Sequence, residues 1–187
     1  QYAYTVNAGD QSNRGMEVAL SLDARPASVD GQGLFTTLRP FINYTFADYT
    51  YTDFRSDNNN NAATVNYSGR DVVGVPRHVL AAGFDAAVQN GGYVSVSYEH
   101  RGDMPITYDN VHKAPGYGVL NARLGMARNV GRHLAVDAYV GGTNLTGSRY
   151  YTMVFLNPSY AGASPAIYLP GPYQARYIGG VKLGWRR

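Results

Sequence analysis

Hydrophobic and polar residues alternate along much of this chain. In its last stretch one face carries Tyr177, Gly179, Val181, Leu183 and Trp185, and the other carries Ile178, Gly180, Lys182, Gly184 and Arg186. A repeat of two is the signature of a β-strand. The same reasoning predicts eight strands, at residues 1–8, 13–25, 36–53, 78–88, 93–102, 117–128, 133–144 and 175–187.

The two faces of these strands differ in a way that suits a membrane. One face is continuously apolar and the other carries charges, as a strand between lipid and a polar lumen requires. The pattern therefore predicts an all-β fold, an antiparallel up-and-down transmembrane β-barrel with about eight strands in this chain. Residues 1–187 are expected to form a single barrel region.

The connections between the predicted strands alternate in length. Tight turns at Gln89-Asn90-Gly91-Gly92 and Asn129-Val130-Gly131-Arg132 separate long loops near residues 54–77, 102–116 and 146–174. Asn-Gly and Gly-Gly pairs supply the positive φ that short hairpins need. Membrane barrels place short turns at the periplasmic end and long loops outside, so this asymmetry favours the membrane interpretation.

Composition agrees and excludes other classes. The 187 residues include 17 Tyr and 22 Gly, have no Cys, and are 16% charged with a formal net charge of +3. The missing cysteines exclude a disulfide scaffold and a Cys-ligated metal site. No basic run is present, so nucleic acid is not an expected partner. A soluble β-sandwich remains an alternative, although its outward positions would usually carry more Lys, Glu and Thr.

Four segments resemble, in the same order, the C-terminal part of TonB-dependent outer-membrane receptors. They are Asn7 to Arg25 with its Arg14-Gly15-Met16-Glu17 core, Tyr67-Ser68-Gly69-Arg70 followed by Gly74-Val75-Pro76-Arg77-His78, Gly142-Thr143-Asn144-Leu145-Thr146 with Tyr150-Tyr151, and Leu169-Pro170-Gly171-Pro172. The spacing and the Asn157-Pro158 segment look most like the ferric-citrate and siderophore branch. The resemblance implies a bacterial outer-membrane receptor that takes up a ferric siderophore or similar small chelate.

The resemblance also implies parts that these residues lack. Receptors of this family have a plug domain, a TonB-contacting segment and a barrel of about twenty-two strands, so contact with TonB is expected only through missing N-terminal parts. Two possibilities follow. The chain is the C-terminal part of such a receptor, or it is an autonomous eight-stranded outer-membrane barrel with a structural or adhesive role and no transport.

Physical roles can be assigned to two motif residues without the family. Asn144 can close its strand by bonding nearby backbone through its side chain. Pro76 lacks a backbone donor and therefore suits the start of the strand near residue 78. Both roles are structural.

Aromatic residues and an arginine in the long loops are the ligand-binding candidates. Stacking and charge-assisted hydrogen bonds from such groups suit a planar or anionic ligand. The alternative is that these aromatics form the interfacial girdle or pack the loops on themselves. The candidates are Tyr108, His112, Arg149, Tyr150, Tyr151, Phe155, Tyr160 and Tyr168.

Further roles follow from position in the strands. Charges on the polar face are expected in the lumen, paired with a plug or across a closed barrel; they are Glu17, Asp23, Asp85, Glu99, Arg101, Arg123, Asp137 and Lys182. Tyr44, Tyr177 and Trp185 are expected in the girdle, against outer-membrane lipid. The four His are scattered, and no catalytic motif, metal site or cofactor site is recognised, so an enzyme is not expected.

Overall fold

The structure is a computed structural model that describes residues 9–24, 35–57, 64–156 and 166–185. All regular structure in these ranges is β-strand. The strands are β1 Gly9–Ser21, β2 Phe35–Asp57, β3 Thr64–Asn66, β4 His78–Val88, β5 Gly92–Arg101, β6 Met104–Pro105, β7 Lys113–Ala114, β8 Tyr117–Val130, β9 Leu134–Thr143, β10 Tyr151–Leu156, β11 Ala166–Pro170 and β12 Arg176–Trp185. Within the described ranges no helix is long and apolar enough to cross a membrane.

The long strands form one antiparallel sheet in chain order. Its order is β1-β2-β4-β5-β8-β9-β12, with the short β3 paired to β2. This is the predicted up-and-down arrangement, and the seven predicted strands that fall in the described ranges are all present. The strand predicted at residues 1–8 lies outside those ranges.

The long connections contain more structure than the loops predicted from the sequence. β2 continues to Asp57, beyond the predicted end at residue 53. Two hairpins, β6–β7 and β10–β11, form small sheets of their own within the second and third connections. These strands are short and carry no clear alternation, so periodicity does not reveal them.

The strand register builds two continuous faces. Because residues directly opposite each other project to the same side of a sheet, the row from Val18 through Tyr44 to Leu80 shares a side. The same argument joins Leu124 to Val140 and Val140 to Gly179 at the other end of the sheet. We call this side the apolar face. The opposite side, which includes Thr45, Ser95 and Asp137, is the polar face.

The sheet is open within the described residues. β1 pairs only with β2, and β12 pairs only with β9, so the two outer strands do not meet. Closure of these strands as a small barrel is therefore not favoured. An open wall suits a larger barrel whose further strands complete the two edges.

The hydrophobic core lies among the long connections, at the end of the sheet from which they extend. It consists of Met104, Ile106, Ala114 and Tyr151, with Tyr117 and Val154 packed against it. In the sheet itself, β1 and β12 are mostly exposed, the central strands β4 and β5 are mostly half-buried, and few residues are fully buried. This distribution is expected for a wall that borders lipid on one side and a lumen on the other.

Candidate ligand site in the long connections

The first and second long connections are held together by an asparagine. Asn110 accepts a hydrogen bond from the Asp71 amide at 2.7 Å and donates one to the Asp71 carbonyl at 3.0 Å. The Asn110 side chain thus binds both the amide and the carbonyl of Asp71, as the backbone of a neighbouring strand would. Asn110 has φ 60°, a left-handed conformation that Asn tolerates better than most residues.

Aromatic rings reinforce this link. Tyr108 lies 4.7 Å from Phe54 and 5.3 Å from Tyr67, measured between ring centroids. Tyr51 stacks on Phe54 at 4.6 Å. We call Asn110, Asp71 and these four rings the loop latch.

The second and third connections meet in the hydrophobic core. The ring of Tyr151 contacts Tyr117 and Tyr168 edge to face, with centroids 5.3 and 5.5 Å apart. Tyr151 is only 6% exposed. Its hydroxyl group is buried and has no hydrogen-bond partner among the described residues.

Asn144 organises the start of the third connection. Its side-chain oxygen accepts bonds from the Ser148 amide and the Thr146 hydroxyl, and its amide nitrogen donates to the Ser148 carbonyl at 2.9 Å. This confirms the predicted local bonding. The same nitrogen also donates to the carbonyl of Pro172 at 2.8 Å, which ties the segment before β12 to the end of β9.

A wide cleft opens beside this asparagine. It has a volume of about 1010 Å³ and lies between residues 147–149 and 170–176. Arg149 and Arg176 both line it, and Tyr173 adds a ring that is 53% exposed. Two guanidinium groups with an accessible phenol are suited to an anionic ligand.

Comparison of the chain with protein-family models identifies the kind of protein that contains this cleft. A family model described as TonB dependent receptor-like, beta-barrel matches residues 1–145. The chain belongs to this family. Its barrels lie in the bacterial outer membrane and serve as receptors and transporters, not as enzymes. Comparison with curated proteins gives no match.

In a receptor barrel the apolar face borders lipid and the long connections are extracellular. All three predicted girdle residues lie on this face. Tyr177 and Trp185 are 74% and 73% exposed near opposite ends of β12. Tyr44 forms a 2.8 Å hydrogen bond with His78 Nδ1. Their contact with the membrane interface stays a prediction.

The predicted lumen charges lie on the polar face of the receptor wall. The register puts Glu17, Asp85, Glu99, Arg101, Arg123, Asp137 and Lys182 there. Asp23 follows β1 and forms an ion pair with Arg39 at 3.2 Å.

Several of these charged side chains have partners on neighbouring strands of the same wall. The sequence predicts partners on a plug or across a closed barrel instead. Asp137 accepts a hydrogen bond from the Tyr93 hydroxyl at 2.8 Å, and Asp85 accepts one from Ser95. The Arg123 guanidinium lies 3.7 Å from the centroid of the Tyr139 ring. Neighbouring strands thus already compensate part of the lumenal charge.

The predicted ligand residues fall into two groups. Tyr108, Tyr150 and Tyr151 pack the connections against each other, with Tyr150 5.5 Å from Tyr117. Arg149, His112, Phe155 and Tyr168 are exposed, and of these Arg149 lines the cleft. Tyr160 lies outside the described residues. A role in ligand binding remains a prediction for the whole set.

Two titratable groups of the latch region are shifted by their surroundings. Burial raises the pKa of Tyr67, with the charge of Asp109 adding to the effect. Partial burial by itself would raise the pKa of Asp109, but hydrogen bonds from Thr107 and the Val111 amide, with the charges of His112 and Arg70, leave it lowered. The pKa of Asp109 is lowered overall because these donors and charges stabilise the ionised carboxylate.

Sequence reasoning missed two residues of the cleft. Tyr173 and Arg176 follow the Pro170-Gly171-Pro172 segment. They lie on either side of residue 175, at which alternation predicts the start of the last strand. A tyrosine and an arginine next to a Pro-Gly-Pro segment are the feature of the sequence that could have identified them as candidates. Only the fold puts Arg176 and Arg149 around the same cleft.

Proposed function

We propose that this chain supplies the wall and extracellular loops of a receptor that takes up a ferric siderophore or a similar small anionic chelate. Energy for uptake would come through TonB, by way of receptor parts outside these residues. The family membership supports the receptor role, and the ligand class rests on the cleft.

One observation carries the ligand class. Arg149 and Arg176 line one extracellular cleft of about 1010 Å³, next to the exposed ring of Tyr173. Guanidinium groups bind carboxylates in a bidentate manner, and such charge-assisted bonds are stronger than neutral ones. The volume is that of a site for a small molecule.

Titration of the full natural receptor with ferric citrate tests the proposal. The double variant Arg149→Gln/Arg176→Gln is expected to raise the Kd by about a hundredfold or more, because it removes two hydrogen bonds from charged groups and each contributes about 1.5–3 kcal/mol. Arg55→Gln is the matched control, since Arg55 is exposed on the β2–β3 hairpin and does not line the cleft. An unchanged Kd in the double variant would exclude the cleft, and no binding of any ferric chelate would exclude the ligand class.

A further inference from the structure

Near the short turns, an arginine of β8 lies on the side of the wall that borders lipid. Arg128 is opposite Val136, which is opposite Leu183, and all three belong to the apolar face. Arg128 is exposed there. A lipid-facing arginine costs about 2–4 kcal/mol at the bilayer midplane but only about 0–1 near the interface.

The position of Arg128 places it at the interface. The next row of the apolar face, Val130, Leu134 and Trp185, ends at the short β8–β9 turn. Beside it, the Ala127 amide donates to the carbonyl of Gly91 in the short β4–β5 turn at 2.8 Å. Short turns mark the periplasmic end of the barrel, so Arg128 lies next to the periplasmic leaflet.

The two short turns at this rim carry charges of one sign. Arg132 in the β8–β9 turn adds a second guanidinium group, and residues 88–92 and 128–134 contain no acidic residue. The nearest acidic residues along these strands, Asp85 and Asp137, belong to the polar face, where Ser95 and Tyr93 bond them. The lipid side of the rim is therefore cationic.

Aromatic rings fix the depth of the same rim. His133 stacks on Trp185, with centroids 5.4 Å apart and planes 18° apart. Such amphipathic rings settle at the level of the headgroups. Guanidinium groups at this level can bind a phosphate through two parallel hydrogen bonds.

We propose that Arg128 and Arg132 form a binding site for the phosphate group of an anionic phospholipid in the periplasmic leaflet. The partner is assigned by charge complementarity and by the depth of Trp185. The site is independent of the ligand cleft, which lies at the opposite end of the wall.

Quenching of Trp185 by brominated lipid measures the site directly, because it is the only Trp in these 187 residues. The full natural receptor, with any other tryptophan replaced by phenylalanine, is placed in phosphatidylcholine bilayers. Brominated phosphatidylglycerol is then compared with brominated phosphatidylcholine. Each basic residue near a membrane surface contributes about 1 kcal/mol, so we expect an association constant about fivefold to thirtyfold higher for the anionic lipid, according to whether one arginine or both bind the phosphate.

The variants separate the rim from general charge effects. Arg128→Gln/Arg132→Gln is expected to bring the ratio of the two association constants close to one, while Arg128→Lys keeps most of the preference. Lys182→Gln is the matched control, because it removes one positive charge at a similar height on the polar face. Equal quenching by both lipids in the unmodified receptor would overturn the proposal and would favour an acidic periplasmic protein as the partner. An equal loss in Lys182→Gln would also overturn it.

Discussion

Tyr151 places a hydroxyl group in the buried core of the long connections. Its ring is needed, since it contacts Tyr117 and Tyr168 in the core of the extracellular loops. Its oxygen is buried and has no partner in the described part of the chain. Burial accordingly raises the pKa of Tyr151.

Removing only this oxygen is expected to stabilise the loops. An unsatisfied buried polar group costs about 1–3 kcal/mol, so Tyr151→Phe should raise the free energy of local opening by about 1 kcal/mol. Hydrogen exchange of the β10–β11 amides measures this. Tyr168→Phe is the control, because that residue is 39% exposed. A loss of stability in Tyr151→Phe would show that the hydroxyl has a partner.

Asp109 predicts a response to acid in the β6–β7 hairpin. Its folded pKa is lowered relative to its ordinary value of 3.8. A lowered pKa gives stability that is present above the unfolded pKa and is lost as the pH falls through the folded pKa. The hairpin should therefore be equally protected from pH 7 to pH 5 and loosen only below about pH 4.

Hydrogen exchange of the Val111 amide, which donates to Asp109 at 3.0 Å, reports this transition. Asp109→Asn keeps the size of the side chain but cannot titrate, so the acid response of this amide should disappear. Loosening between pH 5 and pH 7 would contradict the assignment to Asp109.

At the scale of the element, the two short turns are similar in position but differ in how much space they have. Gly91 has φ 89° and Gly131 has φ 65°. A Cβ at Gly91 would overlap the carbonyl oxygen of Ala127, whereas a Cβ at Gly131 would meet no atom within 4 Å. The first turn is thus restricted by packing as well as by conformation.

Alanine substitutions separate these two effects. Gly131→Ala is expected to cost only the left-handed conformation, about 1–2 kcal/mol. Gly91→Ala should cost more, because the Ala127 carbonyl must also move, and this disturbs the hydrogen bond from the Ala127 amide to the Gly91 carbonyl. Urea unfolding of the receptor in lipid vesicles compares the two. Equal losses would mean that the β4–β5 turn can shift freely.

The loop latch joins two connections through one side chain, and its strength can be measured. Asn110→Gly keeps the positive φ but removes both bonds to Asp71, so the Asp71 amide should exchange about tenfold faster, an effect of roughly 1.4 kcal/mol. Asn110→Ala adds the cost of the left-handed conformation. An Asp71 amide that stays protected in Asn110→Gly would show that the aromatic rings alone hold the loops.

At the scale of the whole molecule, the open sheet is the decisive feature. β1 and β12 are edges within the described residues, and their outer backbone groups have no bonds from the sheet. In lipid each unsatisfied backbone group costs several kcal/mol, which is why membrane sheets close. These strands therefore need neighbours to form a stable wall.

Refolding of the 187-residue chain alone in detergent tests this conclusion. We expect aggregates or open oligomers, because exposed edges pair with other chains. Comparison of boiled and unboiled samples by gel mobility, with a molar mass from light scattering, distinguishes the outcomes. A heat-modifiable monomer would mean that the strands close by themselves after all.

Local sequence determined the strands and the turns between them. Alternation with a period of two depends only on neighbouring residues, so β4 runs from His78 to Val88 as predicted from residues 78–88. The tight turns around Gly91 and Gly131 and the bonding of Asn144 to Ser148 are equally local. The four motifs in the sequence also indicated the receptor family, which the family model confirms.

Tertiary structure decided the rest. The pairing of Asn110 with Asp71, the bond from Asn144 to Pro172 and the cleft lined by both Arg149 and Arg176 each bring together residues far apart in the chain. Whether an aromatic residue is buried, as Tyr151 is, or exposed, as Tyr173 is, depends on those distant partners. Alternation specifies which way a side chain points from its strand, but not which neighbour it meets, because that depends on how the separate connections pack.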